Sequence, residues 1–245
     1  MKKLIILLIF INPSLTFSDE WKHYNKWKIS CGIVDKESLV INGKPTKNYN
    51  KKEFKLDNVI FKLDKGDIGS CPTDKKPVWK YDYSGRQEIT HKLKAGHTVF
   101  EADFVFNGPH SYRSTIFQIH DGRNSGAPPS WVGLKKYGKI IHKFPEGKCS
   151  AENCKMIKYK YLKPNIKYRF RAEIDYRKKS KIISVMYFLN NELFLQHLEV
   201  PLAKKSNDGP YGPKKPYIKI GIYRIGEEGT QIYEYNNLIV KNKKR

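Results

Sequence analysis

The chain consists of short runs in which apolar and polar residues alternate, separated by glycine, proline and asparagine. The clearest run covers residues 167–176, where aromatic and aliphatic side chains take every second position and charged side chains take most of the others. A period of two places the apolar side chains on one face of a β-strand. Residues 181–200 hold two such runs joined at Asn190 and Asn191, a pair that suits a hairpin turn. The pattern therefore predicts strands rather than helices.

The spacing of the turn residues predicts how these strands are arranged. Glycines and prolines recur at short intervals, and no window shows sustained helical periodicity with caps. Short strands joined by frequent turns are typical of two antiparallel sheets packed face to face. A length of 245 residues suits one domain of this kind. The predicted fold is an all-β, two-sheet sandwich in a single domain.

The N-terminal residues have the layout of a secretory signal peptide. Lys2 and Lys3 precede an apolar run over residues 4–11, which is followed by small and polar residues. The run is too short to span a bilayer, and no other segment is apolar enough to cross one. We therefore expect a signal peptide over residues 1–18, a mature domain over residues 19–245, and a secreted or periplasmic protein.

The cysteine content fits an exported chain, because the sequence has 4 cysteines, enough for two disulfides. Cys149 and Cys154 bracket a short loop that a disulfide could close, and Cys31 would then pair with Cys71. The spacing of Cys149 and Cys154 also fits metal ligands, but no second close pair of Cys or His follows. The sequence favours disulfides over zinc. We predict no metal and no cofactor, and we do not predict a structural calcium ion.

The formal net charge of +23 bears on partners rather than on fold. An exported basic protein meets anionic polysaccharides, lipopolysaccharide and free nucleic acid. The lysines are spread along the whole chain, which also fits a generally basic surface. The charge alone therefore favours an anionic ligand only mildly.

Three strand-like segments carry polar and titratable side chains on one face and apolar side chains on the other. The polar faces hold Gln118 and His120 in residues 114–122, Tyr217, Lys219 and Tyr223 in residues 216–226, and Arg86 and Glu88 in residues 84–92. Gly221 leaves room for something to lie close to the backbone. Taken singly, each polar side chain fits a solvated strand face, amphipathic packing or a surface ion pair. Taken together, they form a candidate site.

Taken in chain order, these three segments resemble motifs of the polysaccharide lyases with a concanavalin A-like jelly roll. That group includes the family 7 alginate lyases and the heparin lyase I type. The family 7 motifs R-(S/T)-E-L-R, Q-(I/V)-H and Y-F-K-A-G-x-Y correspond here to Arg86-Gln87-Glu88, Gln118-Ile119-His120 and Tyr217-Ile218-Lys219-Ile220-Gly221-Ile222-Tyr223. The heparin lyase ending K-x-G-x-Y-R is matched at residues 219–224. The resemblance covers residues 83–240 and implies a jelly roll with a substrate groove on its concave sheet.

The chain also departs from the family 7 pattern. Thr90 stands where that family has its second arginine, and Arg-Ile-Gly follows Tyr223 where the family has Asn-Gln or Val-Gln. Both departures count against alginate as the substrate. The sequence leaves the uronate polymer, endo or exo action and a calcium requirement open.

The resemblance implies cleavage of a uronic-acid polymer by β-elimination. Gln118 and Arg86 would neutralise the carboxylate and stabilise the charge that develops in the transition state. His120, whose unperturbed pKa is about 6.5, would accept the C5 proton. Tyr223 would protonate the departing glycosidic oxygen, or would act as both base and acid. The side chains expected to bind substrate are Lys219, Glu88, Arg123, Asn124, Trp131, Tyr217 and Arg224.

The leading hypothesis is a secreted, monomeric lyase that acts on an anionic polysaccharide. One alternative is a non-catalytic carbohydrate-binding sandwich, which would not need both His120 and Tyr223. Another is a glycoside hydrolase of the same fold, which needs two carboxylates about 5–9.5 Å apart. No E-x-D-x-E segment is present to supply them. A nucleic-acid partner is not expected, because the chain shows no recognisable base-stacking motif.

Overall fold

The computed structural model describes residues 20–32, 38–46, 53–67, 84–108, 113–121, 128–143, 154–156, 161–202, 216–225 and 229–244. The predicted signal peptide lies outside the described residues, as do Arg123 and Asn124. Cys71 and Cys149, one member of each expected disulfide, also lie outside them, so both pairings stay predictions.

The described residues form strands almost throughout, with one short 3-10 turn at Lys136–Gly138. The strands are β1 Lys22–His23, β2 Trp27–Cys31, β3 Leu39–Ile41, β4 Lys44–Thr46, β5 Val59–Leu63, β6 Ser84–Lys92, β7 Gly96–Asn107, β8 Arg113–His120, β9 Ser130–Lys135, β10 Lys139–Lys143, β11 Cys154–Met156, β12 Tyr168–Arg177, β13 Ile182–Leu189, β14 Glu192–Pro201, β15 Tyr217–Ile225 and β16 Gln231–Lys243. No helix in this part of the chain is long and apolar enough to cross a membrane. The predicted all-β class is confirmed.

Two antiparallel sheets account for these strands. The larger has the order β11-β14-β13-β12-β7-β16-β5-β3-β4, with β1 paired to β16. The smaller has the order β10-β9-β8-β15-β6-β2. The three segments singled out in the sequence are β8, β15 and β6, which are direct neighbours in the smaller sheet. The connectivity thus brings distant parts of the chain onto one surface.

The hydrophobic core lies between the two sheets. Phe100 of β7 and Phe170 of β12 meet Phe117 of β8, with ring centroids 5.1 Å and 5.5 Å apart respectively. All three rings are at most 1% exposed, and each such burial contributes about 1.5–3 kcal/mol. Because Phe117 and Ile119 point into this core, Gln118 and His120 point the other way. The core therefore fixes which face of β8 is polar.

Candidate active site

Strand register brings the candidate residues into one row along β15. Tyr217 pairs with His120, and Lys219 pairs with Gln118, both on β8. On the other side of β15, Tyr223 pairs with Arg86 of β6. The expected convergence of three segments on one sheet is therefore observed.

A buried cluster of Glu88, Gln118 and Lys219 occupies the middle of the row. The Gln118 side-chain amide nitrogen donates to Glu88 Oε1 at 2.6 Å, and Lys219 Nζ donates to Glu88 Oε2 at 3.1 Å. Their exposed fractions are 2% for Glu88, 6% for Gln118 and 7% for Lys219. Lys219 Nζ also lies 3.6 Å from Cys31 Sγ. The carboxylate thus has an amide and an ammonium as partners in a site shielded from water.

Gly221 is the point at which β15 lies closest to the backbone of β6, beside Glu88. Gly221 lies opposite Glu88 in the β6–β15 ladder and has φ +134°. A Cβ atom built at this glycine would lie 2.2 Å from the Gln87 carbonyl oxygen. The backbone of β6, rather than a ligand, is therefore what lies close to Gly221. A side chain at this position would collide with the β6 backbone at Gln87 and Glu88, so glycine allows the two strands to pair as closely as they do.

One end of the row is formed by His120 and Tyr217. Their rings are stacked, with centroids 5.1 Å apart and an interplanar angle of 1°. His120 Nδ1 lies 3.6 Å from the carboxylate of Asp121, which is only 1% exposed. A carboxylate this close to one ring nitrogen restricts the orientations that the imidazole favours. The sequence alone gives Asp121 no role at the site, because its proximity to the imidazole depends on backbone geometry.

The pKa of the Tyr217 phenol is raised well above its usual value. Burial is the main cause, and the charges of Glu88 and Asp121 raise the pKa further, while Arg86 opposes them. Charges from β6 and from the residue that follows β8 therefore act on one hydroxyl group. At neutral pH this tyrosine keeps its proton.

Arg86 and Tyr223 form the other end of the row. The guanidinium carbon of Arg86 lies 3.9 Å from the centre of the Tyr223 ring, a cation–π geometry. Tyr223 lies across from Thr115 on β8, five residues before His120. Five residues along β8 place the backbone of His120 about 16 Å from that of Thr115. His120 and Tyr223 are therefore separated along the row by the Glu88 cluster.

Two expected substrate contacts take up other positions. Arg224 is 2% exposed and donates to the carbonyl oxygens of Leu63, Asp64 and Gly229. It shares the inner face of β15 with the isoleucines, and its burial favours a structural role over the expected contact to substrate. Trp131 pairs with Gln118 across β8 and β9 but is 6% exposed. Its burial favours packing over stacking on a sugar.

A second polar cluster joins the two sheets away from the row. Ser130 Oγ lies 2.5 Å from the Tyr187 hydroxyl and 2.7 Å from His197 Nδ1. His197 Nε2 lies 3.1 Å from His142 Nδ1. Sequence reasoning gave these side chains no role, since they come from four separate strands and match no motif. Burial lowers the pKa of His197 to about 3 and also lowers that of His142.

Within the described ranges, no group of three or more His, Cys, Asp or Glu side chains could hold a metal ion. The expectation of a cofactor-free protein stays a prediction.

Comparison with solved structures finds this architecture in alginate lyases. Alginate lyase A1-II′, a member of polysaccharide lyase family 7, matches with a TM-score of 0.55 at 12% identity, covering 90% of this chain and 96% of that one. A variant of A1-II′ in complex with product gives a TM-score of 0.56 at 12% identity, over 89% and 95% of the chains. The alginate lyase from Corynebacterium sp. gives 0.54 at 12% identity, over 88% and 93%.

No family model and no curated protein matches the sequence. The likeness to solved structures therefore rests on fold. It confirms the predicted jelly-roll sandwich, and it extends over nearly the whole of each alginate lyase compared. The chain has the fold of the family 7 polysaccharide lyases.

Proposed function

We propose that the protein is a secreted polysaccharide lyase that cleaves a uronic-acid polymer by β-elimination. The observation that carries the proposal is the row on the smaller sheet, in which the buried Gln118 amide lies between two partly exposed residues, His120 and Tyr223. The shared fold supports it, since the A1-II′ structures include complexes with product and with substrate. The predicted signal peptide, and with it disulfide formation outside the cytoplasm, belongs to the same proposal.

The chemistry assigns a task to each part of the row. The C5 proton of a uronate lies α to a carboxylate, and its removal places negative charge on that carboxylate. Hydrogen bonds from Gln118 and Arg86 would stabilise the charge as it develops. His120 would accept the proton, and Tyr223 would donate its own to the departing glycosidic oxygen. The sugar would then lie over Lys219 and Gly221, and the side chains of His120 and Tyr223 would lean toward each other along the row to reach its C5 proton and its C4 oxygen.

Arg86 has a further part in this proposal. In the free protein its guanidinium covers the Tyr223 ring, and the Tyr223 hydroxyl is shielded from solvent. A uronate carboxylate forms a stronger, charge-assisted pair with a guanidinium than an aromatic ring does. Substrate binding would draw Arg86 toward the carboxylate and uncover the phenol.

The test is to incubate the mature protein with alginate, glucuronan and sulfated glycosaminoglycans and to follow the ultraviolet absorbance of the unsaturated product. We expect product from at least one polymer and a decrease in kcat of about 10²–10⁴-fold for His120→Ala. His23→Ala, at an exposed histidine outside the row, is the matched control and should keep full activity. Binding without any product would instead favour the carbohydrate-binding alternative.

A further inference from the structure

The Glu88 carboxylate lies beneath the row rather than on its surface. We propose that Glu88 is a positioning residue that sets the orientation of the Gln118 amide, and that Lys219 is the counter-charge of Glu88 and not a contact to substrate. This inference rests on the proposed function and changes the role expected for both charged residues.

The hydrogen bond between Gln118 and Glu88 decides which way the amide points. An ionised carboxylate only accepts hydrogen bonds, so at 2.6 Å the partner must be the NH₂ group of the amide. That group has two N–H bonds. One is used by Glu88, and the second remains to donate to a uronate carboxylate. If the amide turned over, its carbonyl oxygen would face Glu88 and repel it.

Burial strongly favours this single orientation of the Gln118 amide. Glu88 and Gln118 are 2% and 6% exposed, so water competes little for either group. A buried amide that loses its acceptor must find another partner or bear the cost of desolvation. Glu88 therefore fixes the orientation of the Gln118 amide before the substrate binds. Such preorganisation lowers the activation barrier of the elimination most effectively.

Lys219 neutralises the negative charge of Glu88. A buried anion directly below a bound uronate would repel it. The Lys219 ammonium, 3.1 Å from Glu88 Oε2, cancels that charge. Its other described contact is Cys31 Sγ, and only 7% of the residue is exposed. Lys219 thus contacts the site from below, and partly exposed Arg86 remains the cation on the surface of the row.

The test compares Lys219→Met, Glu88→Gln and the double variant. Each single change leaves one buried charge without its partner, and we expect kcat to fall about 10²-fold through displacement of the Gln118 amide. In the double variant no charge remains, and the side-chain carbonyl of the glutamine introduced at position 88 can still accept from Gln118. We therefore expect the double variant to recover to within about tenfold of the wild-type kcat, with little change in KM.

A double variant as impaired as Lys219→Met, or more so, would overturn the proposal and would mean that Lys219 binds substrate directly. The comparison of the double variant with wild type decides the question even if a single variant does not fold. Glu101→Gln is the matched control, because Glu101 pairs with Arg169 at 2.7 Å on the larger sheet. This control should leave kcat unchanged.

A second measurement does not depend on activity. In a proton–nitrogen correlation spectrum, the NH₂ signals of Gln118 are identified by their disappearance in Gln118→Leu. We expect one of the two protons to lie far downfield in the wild type and to move back in the double variant, where the acceptor is neutral. Two protons at ordinary amide positions in the wild type would overturn the proposal. Absence of lyase activity with a downfield proton would refute the proposed function alone.

Discussion

At the scale of single residues, the two tyrosines of the row differ in their surroundings. The pKa of Tyr217 is raised by burial and by two carboxylates, whereas the ring of Tyr223 lies beneath the guanidinium of Arg86. We predict that Tyr223→Phe lowers kcat by about 10²–10⁴-fold, as expected for loss of a general acid. Tyr217→Phe keeps the stacked ring and should lower kcat far less. Steady-state kinetics of both variants on the same polymer measure the difference, and equal losses would contradict the assignment.

The residue types of the row were predictable from sequence, but their pairing was not. Alternation placed Gln118 and His120 on one face, and the motif order linked them to Tyr217 and Tyr223. The register that sets His120 beside Tyr217 follows from the pairing of β8 with β15, and neither strand encodes its partner. The same limit applied to Glu88, whose burial depends on its contacts with Gln118 and Lys219 on the two neighbouring strands. Alternation with the isoleucines of β15 indicates that Arg224 is buried. Its place in the K-x-G-x-Y-R motif suggested substrate binding instead.

At the scale of elements, Gly221 sets the spacing of β15 and β6. A Cβ atom there would meet the Gln87 carbonyl oxygen, and φ is +134°. We predict that Gly221→Ala destabilises the protein by about 1–3 kcal/mol and lowers kcat, because β6 and Glu88 move away from Gln118. Gly43→Ala is the control, since Gly43 has φ +76° but nothing within 4 Å of the added carbon. Urea unfolding and kinetics check both variants. Loss of stability without loss of kcat in Gly221→Ala would show that this spacing does not serve the site.

At the scale of the whole molecule, buried neutral histidines link stability to pH. Burial lowers the pKa of His91 to about 4 and that of His197 to about 3. Unfolding returns each to about 6.5, so the unfolded state binds more protons at mildly acidic pH. The stability is complete above pH ~6.5 and falls below it by roughly 1.4 kcal/mol per pH unit for each histidine. Urea unfolding between neutral and mildly acidic pH should show this dependence of the unfolding free energy on pH, and His197→Gln should reduce it. The exposed His23→Gln variant should leave it unchanged.

The most direct test of the account is the chemistry of the product itself. Elimination adds no water across the glycosidic bond, whereas hydrolysis adds one water, and with it one oxygen atom from the solvent, for each bond that is cleaved. Wild-type protein should therefore cleave a uronate polymer in heavy-oxygen water to give oligosaccharides that are unsaturated and lighter than hydrolysis products by one water, with no heavy oxygen introduced by the cleavage. Saturated products carrying solvent oxygen would contradict the central claim.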